Sequence, residues 1–400
     1  MNIQPVVISG AGPVGLVLAM RLGHMGIACT VLESAPELVR GLRASTFHPP
    51  TLDMLQAHGI TAGLIAAGLI APTWQVRMHS TGQYAEFDLS VLKDDTAHPY
   101  RLQCEQWRLS ELLLAHIQKN LPHVQVHWGS PLIGLSQTDH SVKVQYQSPD
   151  GQLHQLEASF LVGADGGHST VRKQLNLEFD GLTFPETTIL ATTRFAFHEH
   201  LPSLSYINYC WSEYGTFSLL RLRDVWRVSL YPDEGESIEE ATSDTAVQQK
   251  MQRIWPRHEA YDVLEIRPYR IHQRVVKQYV TGRVVLVGDA AHLNSPSGGM
   301  GMNGGIHDAF NLSEKLGSIL NEKCGLEALA LYERQRRPIA ISHVLEQSGR
   351  NRARMQERDM SKRQAAMEEL QRKASDPVLH KAHLLNTSMI TGLRESAALT

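Results

Sequence analysis

The 400-residue chain is short of cysteine, of net charge and of long apolar runs, and each shortage removes a class of protein. Its four cysteines, Cys29, Cys104, Cys210 and Cys324, lie far apart and form no CxxC pair, which argues against a disulfide scaffold and predicts a reduced, cytoplasmic setting. No zinc-ligand pattern occurs. His198 and His200 flank Glu199 at a spacing that puts both on one face of a strand, and a solvated strand end is expected there rather than a metal site. A formal charge of −3 leaves no basic stripe for nucleic acid. No apolar run reaches the length of a membrane span, and Met1–Pro5 carry no basic side chain of a secretory signal, so neither a membrane nor an export route is predicted.

Glycine, by contrast, recurs in ordered patterns. Residues 6–15 read VVISGAGPVG. A β-branched run, Val6–Ser9, leads into Gly10, Gly12 and Gly15 at GxGxxG spacing, and Leu16–Leu22 continue with helical periodicity. Gly10 permits a tight strand-to-helix turn, Gly12 admits a pyrophosphate to the backbone, and Gly15 lets helix and strand pack closely. The phosphate would rest on the helix N-terminus, beside Pro13 and Val14. A second strand, Ala28–Leu32, delivers Glu33, followed by Ser34, where an acid would bond the adenosine ribose.

Beyond this unit the helix and strand patterns interleave, without an internal repeat. The stretches SVKVQYQ and LHQLEAS, joined by SPDGQ, predict a β-hairpin within residues 124–160. Residues 73–101 and 179–279 are rich in alternating, aromatic segments such as RVSLY, which suggests a sheet-based substrate domain interleaved with a discontinuous nucleotide domain of residues 1–72, 102–178 and 280–330. Residues 331–400 form a C-terminal helical region, and Arg350–Lys373, with charges of both signs, is expected to be a solvated or partner-facing helix. The fold class is therefore α/β, a Rossmann-like domain with an interleaved mixed sheet.

The stretch GRVVLVGDAAHLNSPSGGMGMNGGIHDAFNLSEKL, from Gly282, predicts a strand at Val284–Val287 and a helix opening near Gly304. Gly299, Gly301 and Gly304 repeat the GxGxxG spacing, but they lie a whole loop beyond the strand, and no strand ending in an acid follows. Free amides at that helix start suit an electron-rich ring that takes on negative charge, as a reduced flavin does. Gly288-Asp289-Ala290-Ala291-His292, then Pro296 and Gly301-Met302-Asn303, follow in order after Gly163-Ala164-Asp165-Gly166 with Ser169 and Arg172. Over residues 4–345 this arrangement resembles the class A flavoprotein monooxygenases, the single-component FAD aromatic hydroxylases related to p-hydroxybenzoate hydroxylase.

The resemblance implies FAD as cofactor, with Asp165 placing the dinucleotide phosphates, Asp289 bonding the ribitol, Arg43 beside the flavin and Gln106 touching FAD from a helix start. Many relatives carry Gln where this chain has Met300. It further implies that NADH or NADPH binds transiently and reduces FAD, that O2 adds at C4a, and that the hydroperoxide oxygen passes to a small phenolic or N-heteroaromatic substrate. His48, Tyr206, Tyr209 and His272 lie near the expected cavity, yet packing or surface roles are preferred and no catalytic base is assigned. Oxidation of a larger tetracycline-type compound and a non-catalytic flavin-binding protein remain as alternatives, and a homodimer remains open. A flavin halogenase is disfavoured because none of the six tryptophans lies two residues from another.

Overall fold

The computed structural model describes residues 4–41 and 43–400. Its first sheet is built on strands running parallel in the order Val284–Leu286, Leu153–Gly163, Gln4–Ser9, Cys29–Leu32 and Val124–His127. The central strand aligns Val6 with Phe160 on one side and with Cys29 on the other. Val6, Val7 and Ile8 are all fully buried, as expected of a strand covered on both faces. The predicted hairpin is present as Val142–Gln147 against Leu153–Gly163, antiparallel. The helix after the fingerprint runs Pro13–His24, with Pro13 in its first turn, where a missing N–H costs nothing.

The second sheet has eight strands in the order His292–Leu293, Val263–Val276, Phe179–Thr193, Trp226–Leu230, Gly215–Arg221, Ile207–Ser212, Thr73–Met78 and Tyr84–Asp88. Chain segments far apart in sequence thus share one sheet, with Thr73–Met78 running parallel to Ile207–Ser212. Between Thr183 and Thr187 the long strand slips its register against Val263–Val276, so Phe184–Glu186 bulge out of the ladder.

Three sequence expectations need correction. His198 and His200 sit in a single helical turn, Phe197–His200, not on a strand; His200 stacks on Phe195 with centroids 4.8 Å apart, so aromatic packing explains it. The helix expected near Gly304 begins at Gly301 and runs to Leu320, because the backbone can start to wind as soon as the positive-φ pair Gly298-Gly299 has turned the chain. The charged segment 350–373 is not one solvated helix. It divides into Glu346–Gln356 and Met360–Ser375, and the second packs on Tyr84–Asp88 through Met367 and Leu370, both buried. Arg363, 2% exposed, sends its guanidinium to the carbonyls of Ser212, Gly215 and Glu357. Periodicity concealed this, because an arginine that satisfies strand-end carbonyls reads as a surface charge.

Candidate functional site

A cavity of about 790 Å³ lies between the C-terminal ends of the parallel strands and the face of the second sheet. Ser9, Gly10, Gly12, Pro13 and Val14 form one wall. Gly10 takes φ +107°, and a Cβ there would stand 2.5 Å from the carbonyl oxygen of Ala164, so the two loops touch backbone to backbone. No side chain caps the helix Pro13–His24, whose N-cap is Gly12, which leaves its first-turn amides and the positive end of its dipole to the cavity. Around Gly12 itself a Cβ would meet nothing within 4 Å, a cradle of the kind an anion needs. Glu33 and Ser34 line the cavity next to it. The Glu33 carboxylate accepts the amides of Ala11 at 2.7 Å and Ala35 at 2.8 Å, which fixes it beside the fingerprint loop.

The second loop brings Asp165 into the same wall. Its Oδ2 accepts the amides of Thr170 at 2.7 Å and Val171 at 3.1 Å, whereas Oδ1 is buried without a partner. Burial raises the Asp165 pKa, and Ser169 with the helix amides pulls the other way. An acceptor oxygen left open in a cavity wall fits a ribityl or ribose hydroxyl better than a phosphate, which the carboxylate would repel. Arg172 ties this loop to the next by donating to the carbonyls of Gly167 at 2.7 Å and Ala290 at 3.0 Å.

The third loop contributes Asp289, Pro296, Gly299, Met300, Gly301 and Met302 to the lining. Asp289 is packed among protein atoms, with its accessible surface turned to the cavity; that surrounding raises its pKa against the pull of His292 and Arg43. The helix Gly301–Leu320 has no side-chain cap, and Gly301 and Met302 at its start line the cavity. Arg43 and Gln106 complete this side, with the Gln106 amide bonded to the carbonyl of Ala44 at 3.0 Å.

Two residues of the predicted cofactor site do not line the cavity: Gly15 has the packing role that its spacing predicts, whereas Asn303, expected at the ligand, does not reach it. Gly15 works from behind, where its missing side chain lets the helix pass the Gly10 carbonyl. Asn303 is fully buried: Oδ1 accepts the His48 amide at 3.0 Å, and Nδ2 donates to the carbonyls of Thr46 at 2.8 Å and Gly299 at 2.7 Å. It therefore clamps three segments of the wall. Beneath the same loop, Asp308 accepts Arg336 Nε at 2.7 Å, His292 Nε2 at 2.7 Å and the Gly288 amide at 3.2 Å, all of them buried.

Sequence reasoning left the opposite wall almost blank. The second sheet supplies Leu190, Ser218, Leu220, Arg227, Ser229 and Tyr269, and the C-terminal helix adds Arg352, Met355 and Gln356. Arg227 and Ser229 alternate in WRVSL, a visible period-2 signal, but nothing in one sequence says which face meets the ligand. Arg352 pairs with Glu186 from the strand bulge and lies 3.7 Å from the Phe184 ring, closing one end. Of the weighed base candidates, Tyr209 lines the cavity; His48, Tyr206 and His272 do not. His48 is buried against the Gly298 carbonyl at 2.9 Å, and His272 meets Thr183 at 2.9 Å.

Residues 4–347 match the family model described as FAD binding domain, and the chain belongs to that family. It is a flavoprotein monooxygenase. It is 35% identical to 6-hydroxy-3-succinoylpyridine 3-monooxygenase of Pseudomonas putida strain S16 over 84% of each chain. It is 31% identical to para-nitrophenol 4-monooxygenase of Pseudomonas sp. strain WBC-3, covering 98% of this chain and 97% of the other. The crystal structure of p-nitrophenol 4-monooxygenase from Pseudomonas putida DLL-E4 superposes with a TM-score of 0.91 over 98% of each chain at 29% identity. FAD is its cofactor, and the open amides, the cradle at Gly12 and the unpartnered Asp165 oxygen suit that group. No described helix is long and apolar enough to cross a membrane, and no group of three or more metal-binding side chains occurs among the described residues.

Proposed function

We propose that the protein uses NADH or NADPH and O2 to hydroxylate a small phenolic or N-heteroaromatic compound. The observation that carries this reading is that one cavity joins three glycine-bearing loops to the floor of the second sheet, so a cofactor and an aromatic ring can meet without leaving protein. FAD bound there supplies the transfer of electrons to O2 and of oxygen to the ring. The chain's own part is binding, orientation and exclusion of water. The first-turn amides after Gly12 hold pyrophosphate, Glu33 takes a ribose hydroxyl, and Asp165 Oδ1 and Asp289 accept from further hydroxyls. The amides of Gly301 and Met302 stabilise negative charge on the ring. Leu190, Phe217, Leu220, Met300 and Met355 give the substrate an apolar slot, and the Arg352–Glu186 pair shields its end from water.

In this proposal residues 1–72, 102–178 and 280–330 serve the cofactor, and 73–101 and 179–279 serve the substrate. The helical 331–400 is not a bystander, since Arg352, Met355 and Gln356 reach the cavity. The setting is cytoplasmic, in keeping with four unpaired cysteines.

The test is a panel of phenols and N-heteroaromatics scored for stimulated oxidation of NADH and NADPH by the FAD-loaded protein, with products weighed by mass spectrometry. A compound that stimulates reductant use and gains one oxygen atom supports the reading. Stimulation by none of them, or only by fused-ring compounds, overturns it.

A further inference from the structure

A second, small cavity of about 30 Å³ lies behind the wall of the first and shares Tyr209, Ser297, Met300 and Met355 with it. By a measure in which one water needs about 10–15 Å³, it has room for a single small ion. Two cationic side chains, Arg101 and Arg354, border it, and no carboxylate does among the described residues.

Arg101, on the short strand Arg101–Gln103, is 2% exposed. Its Nε is buried without a partner, and its Nη2 donates to the Thr387 carbonyl over a long 3.4 Å. The guanidinium lies 5.0 Å from the centre of the Trp74 ring, which also lines the cavity. Trp74 Nε1, a group that can only donate, is likewise buried without a partner. Burial lowers the Arg101 pKa, and the one group acting against that shift is the Tyr209 hydroxyl; no carboxylate takes part. Arg354, on the helix Glu346–Gln356, forms no ion pair among the described residues, and the one acid that acts on it, Glu369, is engaged by Lys373 at 2.5 Å.

Buried donors and positive charge thus border one space, and the chain sets no negative charge against them. A water there would satisfy a donor but leave the charge uncompensated, whereas a monovalent anion does both. We propose that this cavity binds a halide-sized monovalent anion, chloride, between Arg101, Arg354 and the Trp74 indole N–H. None of these three residues lines the larger cavity, so the ion neither replaces a ligand there nor depends on one. They come from three separate elements: Trp74 from the second sheet, Arg101 from the strand paired with Thr46–Phe47, and Arg354 from a C-terminal helix. The ion is therefore a structural clamp behind Tyr209 and the loop 296–300.

The experiment uses FAD-saturated protein, so that the amides that hold the cofactor's phosphates are occupied. Melting is followed at equal ionic strength in sodium chloride and in sodium gluconate, whose anion is too large for the cavity, for the wild type, Trp74→Phe and Arg101→Met. In the wild type, chloride raises the melting temperature above the gluconate value, and the rise grows with the logarithm of chloride concentration once the dissociation constant is passed, as single-site linkage requires. Trp74→Phe keeps a ring to stack on Phe87, now 4.5 Å away, and removes one donor, so chloride binds about threefold to tenfold more weakly. Arg101→Met loses the difference between the two salts. Should Arg101→Met not fold, Trp74→Phe carries the test.

Wild-type crystals grown in sodium bromide give the position, because the anomalous scattering of bromide is expected as a peak in contact with Arg101 and Trp74. Equal melting of the wild type in the two salts overturns the proposal, as does an unchanged chloride effect in either variant. So does the lack of a bromide peak in this cavity, or a peak there without any chloride effect in solution, which marks binding at crystal concentration only.

Discussion

Asn303 Oδ1 accepts the backbone N–H of His48 at 3.0 Å, joining the start of the helix Gly301–Leu320 to the segment that precedes the helix Pro49–Gln56. With its two donations to Thr46 and Gly299, a single buried amide thus ties together three segments of the cavity wall. Asn303→Ala leaves one N–H and two carbonyls unsatisfied, at a cost of about 3 kcal/mol, and releases FAD more readily. Asn303→Asp does not rescue it, because a carboxylate would face two carbonyl oxygens. Melting curves with and without added FAD check this; an Asn303→Asp variant as stable as the wild type would contradict the account.

Two glycines of the fingerprint fail in different ways. A Cβ on Gly15 would stand 2.0 Å from the Gly10 carbonyl oxygen, so Gly15→Ala pushes helix and strand apart and lowers the melting temperature even without cofactor. A Cβ on Gly12 meets no protein atom, so Gly12→Ala folds as the wild type does and loses FAD affinity, because the methyl occupies the phosphate approach. Apo-protein melting and FAD titration separate the two. Equal effects of both substitutions on both measurements would refute the distinction.

The cofactor side was legible because its elements are local: a strand, a glycine turn and a helix start lie within a short stretch of chain. Gly12 and Glu33 could be placed on the cavity from spacing, and Asp165 and Asp289 from the family resemblance, and the structure puts all four in its lining. Asn303 was found for the wrong physical reason, since its part is to bond Thr46 and His48, more than 250 residues away in sequence. Arg227 and Arg352 were missed because their roles depend on which sheet face meets the cavity and on a C-terminal helix folding back. Neither relation has a period that a sequence displays.

Beneath the third loop, the buried pair of Asp308 with Arg336 predicts a large and asymmetric penalty. Burial alone would raise the Asp308 pKa, but Arg336 and His292 reverse this and hold it below the usual carboxylate range. Arg336→Met strands a charged aspartate in the core and costs about 3–5 kcal/mol, while the double variant Asp308→Leu/Arg336→Met regains only part of that loss, because the buried Gly288 amide and His292 lose their acceptor. Chemical denaturation of the two variants measures the coupling. Additive losses would show that Asp308 and Arg336 are not energetically coupled.

Acid sensitivity has an identifiable source in His383. Its ring packs 4.6 Å from Phe87 and 5.8 Å from Trp74, and Nε2 is buried without a partner. Burial, followed by the positive charge of Arg354, lowers its pKa to about 3. The folded value therefore lies below the unfolded one of roughly 6.5, and the unfolded chain binds the proton first as pH falls. Stability from the neutral ring is complete above about pH 6.5 and drains away down to about pH 3, a loss of a few kcal/mol for this one group. His383→Leu keeps the ring's apolar contacts in part and removes the proton. Its melting temperature should fall less steeply than that of the wild type between about pH 6.5 and 4, with the remaining slope due to other buried histidines such as His307, also lowered to about 3. Parallel profiles for the two proteins across that range would show that His383 titrates normally in the fold and that its burial carries no acid penalty.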